Sequence, residues 1–529
     1  MWRIVAAGLG LAATGLITAA IAGGVTGGIA GENAGGITGA AELPELRDDH
    51  LSVVPRTEAE AARIGKVLAP LDPLALPPPL AFEALPGGAA TAKPRALNRQ
   101  AFSHPSGNMD FEKRADFFVG NGFFQKLWVT APSSTLGSDG LGPLYNARSC
   151  QRCHLMDGRG HPPSGLPDDD AVSLLLQLGR PGGPEMPEIP DYLPMEPDPV
   201  YGHQIQDFAA PGLAPEGQVV LEYEEVPVEL AGGETVALRR PSFSIRDFAY
   251  GPLDPETRIS ARIAPPMIGV GLLEAVPAER ILSLADPEDA DGDGISGRPN
   301  VVWSRETGGP ALGRFGWKAG QPTVAAQSAV AFSNDLGISS PTQPAAWGDC
   351  TAGEETCRTA PMGAVGGETE IEAEAFDMVV FYSRNLAVPG RRNADDPEVL
   401  RGREMFHAAG CAACHVPSHV TARLSDQPEQ SFQLIWPYTD MLLHDMGPDL
   451  DDGKPEARAT GAEWRTAPLW GIGLTEIVSG EVALLHDGRA RNVLEAVLWH
   501  GGEAAAARER VIGLSPEDRA ALIAFVESL

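Results

Sequence analysis

Two Cys-x-x-Cys-His motifs constrain this chain more than any other feature. They comprise Cys150, Cys153 and His154, and then Cys411, Cys414 and His415. Cysteines at this spacing reach both vinyl groups of one porphyrin, and the next histidine then lies beneath the iron as an axial ligand. Zinc or redox sites are the alternative, but a histidine follows both cysteine pairs, and 6 cysteines and 11 histidines in 529 residues make chance matches improbable. The motifs predict two covalently bound haem c groups.

The charge balance narrows the range of partners. The chain has 71 acidic and 40 basic residues, for a net charge of −31. A surface this negative repels phosphate backbones and anionic lipid headgroups, so we expect neither nucleic acid nor a membrane surface as a partner. It favours a basic redox partner, such as a basic cytochrome or a cupredoxin. Solubility or a saline habitat would explain the same excess of acid.

The N-terminus has the pattern of an export signal. Residues 1–22 place Arg3 before an apolar stretch that ends in the cleavage pattern Ala20–Ala22. We expect export to the periplasm, and an uncleaved N-terminal membrane anchor is the alternative. In that oxidising compartment Cys350 and Cys357 should form a disulfide. A catalytic dithiol is the other reading, although their spacing is not the redox Cys-x-x-Cys pattern.

Composition and periodicity divide the chain into segments. We predict a signal peptide over 1–22, a Gly/Ala/Pro-rich tether over 23–95, an N-terminal haem domain over 96–370 and a C-terminal cytochrome c domain over 371–529. Alternating residues over 218–248 indicate a β-hairpin. The expected fold is mainly α with a minor β insertion, built as two cytochrome c-like domains of which the N-terminal one is enlarged.

An acidic loop offers a candidate cation site. Asp289, Asp291 and Asp293 stand at alternate positions and a glycine follows, as in the first half of an EF-hand loop. These oxygen ligands suit Ca²⁺, although position 12 of the loop is Asn300 rather than the bidentate glutamate. A solvated acidic turn is the alternative.

The sixth position of each haem iron separates electron transfer from catalysis. For the second haem the candidate ligands are Met446 and His500. For the first haem they are His104, His161 and His203. An open position would fit catalysis.

Long motifs resemble those of a known family. Similarity to bacterial di-haem oxidoreductases, also labelled peroxidases or thiol oxidoreductases, is carried by GLGPLYNARSCQRCHLMDGRG, IAPPMIGVGLLEAVP, DADGDGISGRPN, GRFGWKAGQPTVAAQSAVAF and LLHDMGPDL. The resemblance covers about residues 95–529. Thiol oxidation as a function rests on the family label alone.

A more distant resemblance is to di-haem cytochrome c peroxidases and their relative that matures methylamine dehydrogenase. In those proteins one haem meets a small oxidant such as peroxide, the other relays electrons, and a tryptophan lies between them. The resemblance implies that Trp317 is the relay and that Gln327 lines the peroxide pocket; core packing is the alternative for Trp317. It also favours His500 over Met446 as the distal ligand. The pocket glutamate of those peroxidases has no counterpart, and Asp335 is the nearest carboxylate in that region of the sequence.

The predicted function is therefore an exported di-haem oxidoreductase of peroxidase type, with one substrate-reacting haem and one electron-transfer haem. The alternative is an electron-transfer cytochrome without substrate chemistry, in which both irons are six-coordinate. Length favours the enzyme, since a pure carrier does not need about 250 residues around one haem.

Overall fold

The computed structural model describes residues 43–72, 75–93, 97–164, 171–364 and 369–529. The predicted signal peptide and the first part of the predicted tether lie outside the described residues. From Leu43 onward the chain forms one compact unit. Within the predicted tether, Val53 makes a β-bridge to Leu424. The predicted domain boundaries stay predictions.

Thirteen α-helices occur in the described residues. They are α1 Glu58–Val67, α2 Lys113–Gln125, α3 Cys150–Cys153, α4 Val270–Glu274, α5 Ala278–Leu282, α6 Val324–Leu336, α7 Glu355–Arg358, α8 Ala373–Arg384, α9 Pro397–Ala408, α10 Thr475–Ser479, α11 Val493–Leu498, α12 Ala505–Ile512 and α13 Pro516–Ser528. Short 3₁₀ turns join several of them, at Ala81–Ala84, Gly88–Ala90, Leu136–Ser138, Leu155–Asp157, Cys411–Ala413, Ile472–Leu474 and Gly502–Ala504. Among the described residues, no helix has the length and the apolar composition that a membrane span needs.

The strands are mostly short. They are β1 Val129–Thr130, β2 Asp139–Leu141, β3 Leu144–Tyr145, β4 Leu174–Pro181, β5 Met195–Glu196, β6 Phe208–Ala209, β7 Gln218–Glu229, β8 Thr235–Arg246, β9 Arg258–Ile263, β10 Val301–Ser304, β11 Gly309–Leu312, β12 His419–Val420, β13 Leu434–Ile435, β14 Leu443–Asp445 and β15 Glu463–Arg465. Strands β5, β4 and β9 form a three-stranded antiparallel sheet in that order. The predicted hairpin is confirmed, because β7 and β8 pair antiparallel from Gln218↔Arg246 to Glu229↔Thr235.

The expectation of a mainly α fold is wrong. Helix accounts for 28% of the structure and strand for 18%, spread over many small sheets. Most of these sheets join strands of two to four residues, such as β12 with β13 and β14 with β15. A strand this short has no measurable alternation of polar and apolar residues, so a sequence pattern cannot reveal it.

Two buried clusters form most of the core. The first gathers α2, α6 and α8, with Phe117, Phe332 and Tyr382 among its members. In the second, α9 crosses α13 so closely that a Cβ on Gly402 would lie 1.9 Å from the carbonyl oxygen of Ala521. Both helices have a side-chain N-cap, in which Asp396 accepts from Glu398 N and Ser515 accepts from Asp518 N. The predicted Cys350–Cys357 disulfide is also formed.

Candidate functional site: two cavities with a shared wall

A cavity of about 250 Å³ opens beside the first Cys-x-x-Cys-His motif; we call it the N-terminal cavity. Helix α3 presents Cys150 and Cys153 to it, and His154 follows at the end of the helix. Helix α6 runs along another wall, and the chain leaving strand β9 closes a third. Most of the lining is apolar, which suits a large flat aromatic ligand.

His154 is held in the tautomer that a metal ion requires. Its Nδ1 lies 2.8 Å from the carbonyl oxygen of Pro265, two residues after β9. Because a carbonyl can only accept, Nδ1 donates and Nε2 keeps its lone pair. Burial lowers the pKa of His154 to about 4, and the hydrogen bond to Pro265 opposes this only partly. The imidazole is therefore neutral at pH 7 and able to act as a ligand.

A second cavity of about 330 Å³, the C-terminal cavity, has the same construction around the second motif. Cys411 and Cys414 lie on and just after a 3₁₀ turn, and His415 follows them. The Nδ1 atom of His415 lies 2.9 Å from the carbonyl oxygen of Tyr438. Burial is again the main cause that lowers the pKa of His415 to about 4. Both motif histidines thus line a largely apolar cavity with Nε2 unprotonated.

The residues of both cavities fit a covalently attached haem. All four motif cysteines are free thiols, whereas the remaining two cysteines pair with each other. Burial raises the pKa of Cys150 and of Cys411 to about 12, so these thiols are neutral. Each cavity therefore combines two thiols, the neutral imidazole of its motif and largely apolar walls. That combination matches the vinyl groups, iron and macrocycle of a haem.

The C-terminal cavity also contains the predicted distal ligands. His500 and Met446 both line it. The Nδ1 atom of His500 donates to the carbonyl oxygen of Ala496 at 2.7 Å, which leaves Nε2 unprotonated as in the two motif histidines. The choice between His500 and Met446 as distal ligand stays a prediction.

The N-terminal cavity has a different complement of side chains. Among the described residues that line it, His154 is the only histidine, and Met267 is the only methionine. The three candidate distal histidines, His104, His161 and His203, lie outside this lining. His203, for example, is occupied by an ion pair with Asp349 at 2.6 Å.

The predicted pocket residues do line this cavity. Gln327 lies on α6, and Asp335 lies two turns later on the same helix. Burial raises the pKa of Asp335 to about 6, against the opposing effect of Gln204, whose amide donates to Asp335 at 2.9 Å. Asp335 can therefore be protonated or ionised close to neutral pH.

Five residues line both cavities and form what we call the shared wall: Arg159, Trp317, Arg465, Ala467 and Pro468. Trp317 is 8% exposed, and its Nε1 donates to the carbonyl oxygen of Ile263 at 2.8 Å. The guanidinium of Arg159 lies 5.4 Å from the centre of its ring. Trp317 is thus fixed in the partition between the two motif-bearing cavities, the position that the resemblance implies for a relay.

The carboxylates that come together in the acidic loop are not all those predicted as ligands. The carboxylates that lie within 4.8 Å of one another belong to Asp286, Asp289 and Asp291. Asp293 instead accepts a hydrogen bond from Ile295 N at 2.8 Å and lines the C-terminal cavity. The calcium site stays a prediction.

Sequence reasoning missed a buried charged network beside the second motif. His444 lies 2.8 Å from Asp440 and 2.7 Å from Glu503. Burial disfavours the charged form of His444, but the two carboxylates outweigh it and raise the pKa of His444 well above its usual value. The Sγ atom of Cys414 is 3.6 Å from the same imidazole. Because the partners are up to 59 residues apart, no local pattern indicates this contact.

Two adjoining apolar cavities, each with a Cys-x-x-Cys-His motif in its wall, define a protein built around two cofactor centres. A family model described as "Di-haem oxidoreductase, putative peroxidase" matches residues 83–179 and 202–529. The chain belongs to this family, which confirms the resemblance found in its motifs, and the family implies haem cofactors. No curated protein matches the chain.

Proposed function

We propose that the chain is an exported di-haem c-type oxidoreductase with peroxidase activity. The substrate-reacting haem occupies the N-terminal cavity, and the electron-transfer haem occupies the C-terminal cavity. The observation that carries the proposal is the shared wall, since Trp317 separates two cavities that each offer a haem-attachment motif. When bound, each haem supplies an iron that exchanges single electrons and binds small oxygen compounds.

Each motif would attach its haem through two thioether bonds. The sulfur of each cysteine bonds to one carbon of a vinyl group, and the thiol hydrogen is transferred to the other vinyl carbon. His154 and His415 would then hold the two irons through Nε2, since their Nδ1 atoms are engaged with backbone carbonyls.

The different side chains of the two cavities support different roles for them. His500 would close the sixth position in the C-terminal cavity, which suits electron transfer. In the N-terminal cavity Gln327 can orient a small oxidant by hydrogen bonds from its amide. Asp335 can hold or release a proton near neutral pH, and peroxide cleavage needs such a group.

Electrons would enter from a basic partner and cross the shared wall. The net charge of −31 favours a basic cytochrome or a cupredoxin as the donor. Trp317 provides an aromatic side chain in contact with both cavities, and its hydrogen bond to Ile263 keeps the ring in place.

We also propose that Asp286, Asp289 and Asp291 bind Ca²⁺. Terbium luminescence titration of the wild-type protein and of Asp291→Asn tests this proposal. We expect saturable binding that Ca²⁺ displaces and that the variant weakens. Equal, non-saturating signals from both proteins would contradict it.

The oxidoreductase is tested by the spin states of the haem-loaded, full-length protein. Electron paramagnetic resonance should show one high-spin and one low-spin haem, and the protein should reduce peroxide with an electron donor. A carrier without substrate chemistry is the competing function, and Met267 in the N-terminal cavity is the residue that could complete six-coordination there. Two low-spin haems that ignore peroxide in both the oxidised and the half-reduced protein would establish the carrier instead. Export is tested by N-terminal sequencing of protein recovered from the periplasm.

A further inference from the structure

Two buried arginines lie in the shared wall, and neither has a carboxylate within ion-pair distance among the described residues. Arg159 and Arg465 line both cavities. Burial lowers the pKa of each to about 10, against a smaller opposing effect of Asp440 at Arg465, and both guanidinium groups stay protonated at neutral pH. Each is therefore a positive charge held away from bulk water.

Neither guanidinium forms an ion pair with a carboxylate of the described residues. Arg159 donates only to the carbonyl oxygen of Leu485, at 3.3 Å, and its Nε has no partner. Arg465 donates to the carbonyl oxygens of Gly316 and Thr466, both at 3.1 Å.

Two other buried arginines, which line the N-terminal cavity, are paired with carboxylates. Arg314 lies 2.6 Å from Asp48, and Arg262 lies 3.6 Å from Asp452. In a chain with 71 acidic residues, a carboxylate partner is readily available. The two unpaired arginines therefore need another explanation, because a buried charge without a counter-charge is strongly unfavourable.

We infer that Arg159 and Arg465 bind propionate carboxylates of both haems. This inference rests on the proposed function, since it requires a haem in each cavity. Every haem carries its propionates on the edge away from the vinyl groups, and therefore away from the cysteines that anchor it. The planar fork of a guanidinium matches a carboxylate and can bind two at once.

The two arginines are also fastened to the relay segment. Arg159 lies over the ring of Trp317, at 5.4 Å from its centre. The backbone N–H of Arg465 donates to the carbonyl oxygen of Trp317 at 2.9 Å, and its Nε donates to Gly316. Propionates bound to Arg159 and Arg465 would bring the edges of both haems to Trp317. The same two positive charges would then lie next to both porphyrin rings.

This arrangement raises the reduction potentials of both haems. Reduction lowers the charge of a haem by one unit, so a nearby positive charge favours the reduced form. Arg159→Gln should therefore lower both potentials, by roughly a tenfold change in each reduction equilibrium or about 59 mV for one electron. Arg465→Gln should act in the same direction on both haems.

The experiment is a spectroelectrochemical titration of the haem-loaded full chain, combined with resonance Raman spectroscopy of the propionate bending bands. Arg403→Gln is the matched control. Arg403 is 7% exposed, as is Arg159, and donates to the carbonyl oxygen of Pro77 at 2.8 Å, but it lines neither cavity. We expect both potentials and both sets of bands to move in Arg159→Gln and to stay in place in Arg403→Gln.

The outcomes separate this inference from the proposed function. A wild-type protein with fewer than two haems would refute the proposed function itself. Two haems in Arg159→Gln, with only one potential changed or neither, would overturn the shared propionate site alone. If Arg159→Gln does not load haem, Arg159→Lys is the variant that tests the inference. Lysine replaces the planar guanidinium by a point charge, so the propionate bands must still move. Unchanged bands in that variant would overturn the inference.

Discussion

Replacing Trp317 by phenylalanine tests the shared wall as an electron path. The substitution removes the indole that lines both cavities and the hydrogen bond from Nε1 to Ile263. Leaving the buried carbonyl of Ile263 without its donor costs about 1–3 kcal/mol. The lost ring volume adds about 1 kcal/mol, so the free energy of unfolding should fall by about 2–4 kcal/mol.

Trp464→Phe is a close control for this loss of stability. Trp464 is 6% exposed, and its Nε1 donates to the carbonyl oxygen of Leu450 at 2.8 Å, the same distance as in Trp317. It lines the C-terminal cavity but not the N-terminal one. The two variants should therefore lose similar stability while differing in their effect on electron transfer.

The assay is flash or stopped-flow reduction of one haem, followed by the spectral change of the other. Trp317→Phe should slow transfer between the haems at least tenfold, equivalent to about 1.4 kcal/mol in the barrier, at unchanged haem content. Trp464→Phe should keep the wild-type rate. Equal rates in the wild type and Trp317→Phe, or equal slowing in both variants, would refute a relay role for Trp317.

Three further predictions concern individual side chains. His500→Ala should convert the C-terminal haem from low to high spin in the absorption spectrum, whereas Met446→Ala should not; the reverse result would exchange their roles. Burial raises the pKa of Asp335 in the folded state to about 6, above its usual value. The folded state therefore binds more protons than the unfolded state, and the free energy of unfolding should fall as pH rises from about 4 to about 6. In urea titrations Asp335→Asn should flatten this fall, and in activity assays it should abolish most peroxide turnover. A variant that keeps the wild-type pH dependence of stability and the wild-type turnover would exclude Asp335 as the group that holds or releases the proton. Gly402→Ala should lower the free energy of unfolding by about 1–3 kcal/mol, because the added Cβ meets a backbone oxygen. Gly65→Ala on α1, where a Cβ would have no atom within 4 Å, should not destabilise the protein. Equal melting temperatures of the two variants would contradict this packing.

The local features of the chain were predictable from its sequence. Asp396 and Ser515 are followed by the prolines and acidic residues that begin a helix, and both cap one. The β7–β8 hairpin was visible because its strands are twelve residues long and alternate clearly. The haem motifs are contiguous, so their spacing alone carries their chemistry.

Features that depend on contacts between residues far apart in the sequence could not be predicted in this way. Arg159 and Arg465 are ordinary arginines in the sequence, and only the fold places both in one wall. The carboxylate pair around His444 is likewise assembled from separate segments. The fold class was misjudged because many strands, such as β12 to β15, have only two or three residues, for which no periodic signal exists.

The number of covalently bound haems per chain tests the account most directly. Full-length protein matured in a host that attaches haem c should retain two haem equivalents after acid–acetone extraction, as measured by the pyridine haemochrome spectrum and intact mass. Exchanging Cys150 and Cys153 for alanine should remove one equivalent, and exchanging Cys411 and Cys414 should remove the other. Colourless protein, haem that is fully extractable, or a single bound equivalent would contradict the account.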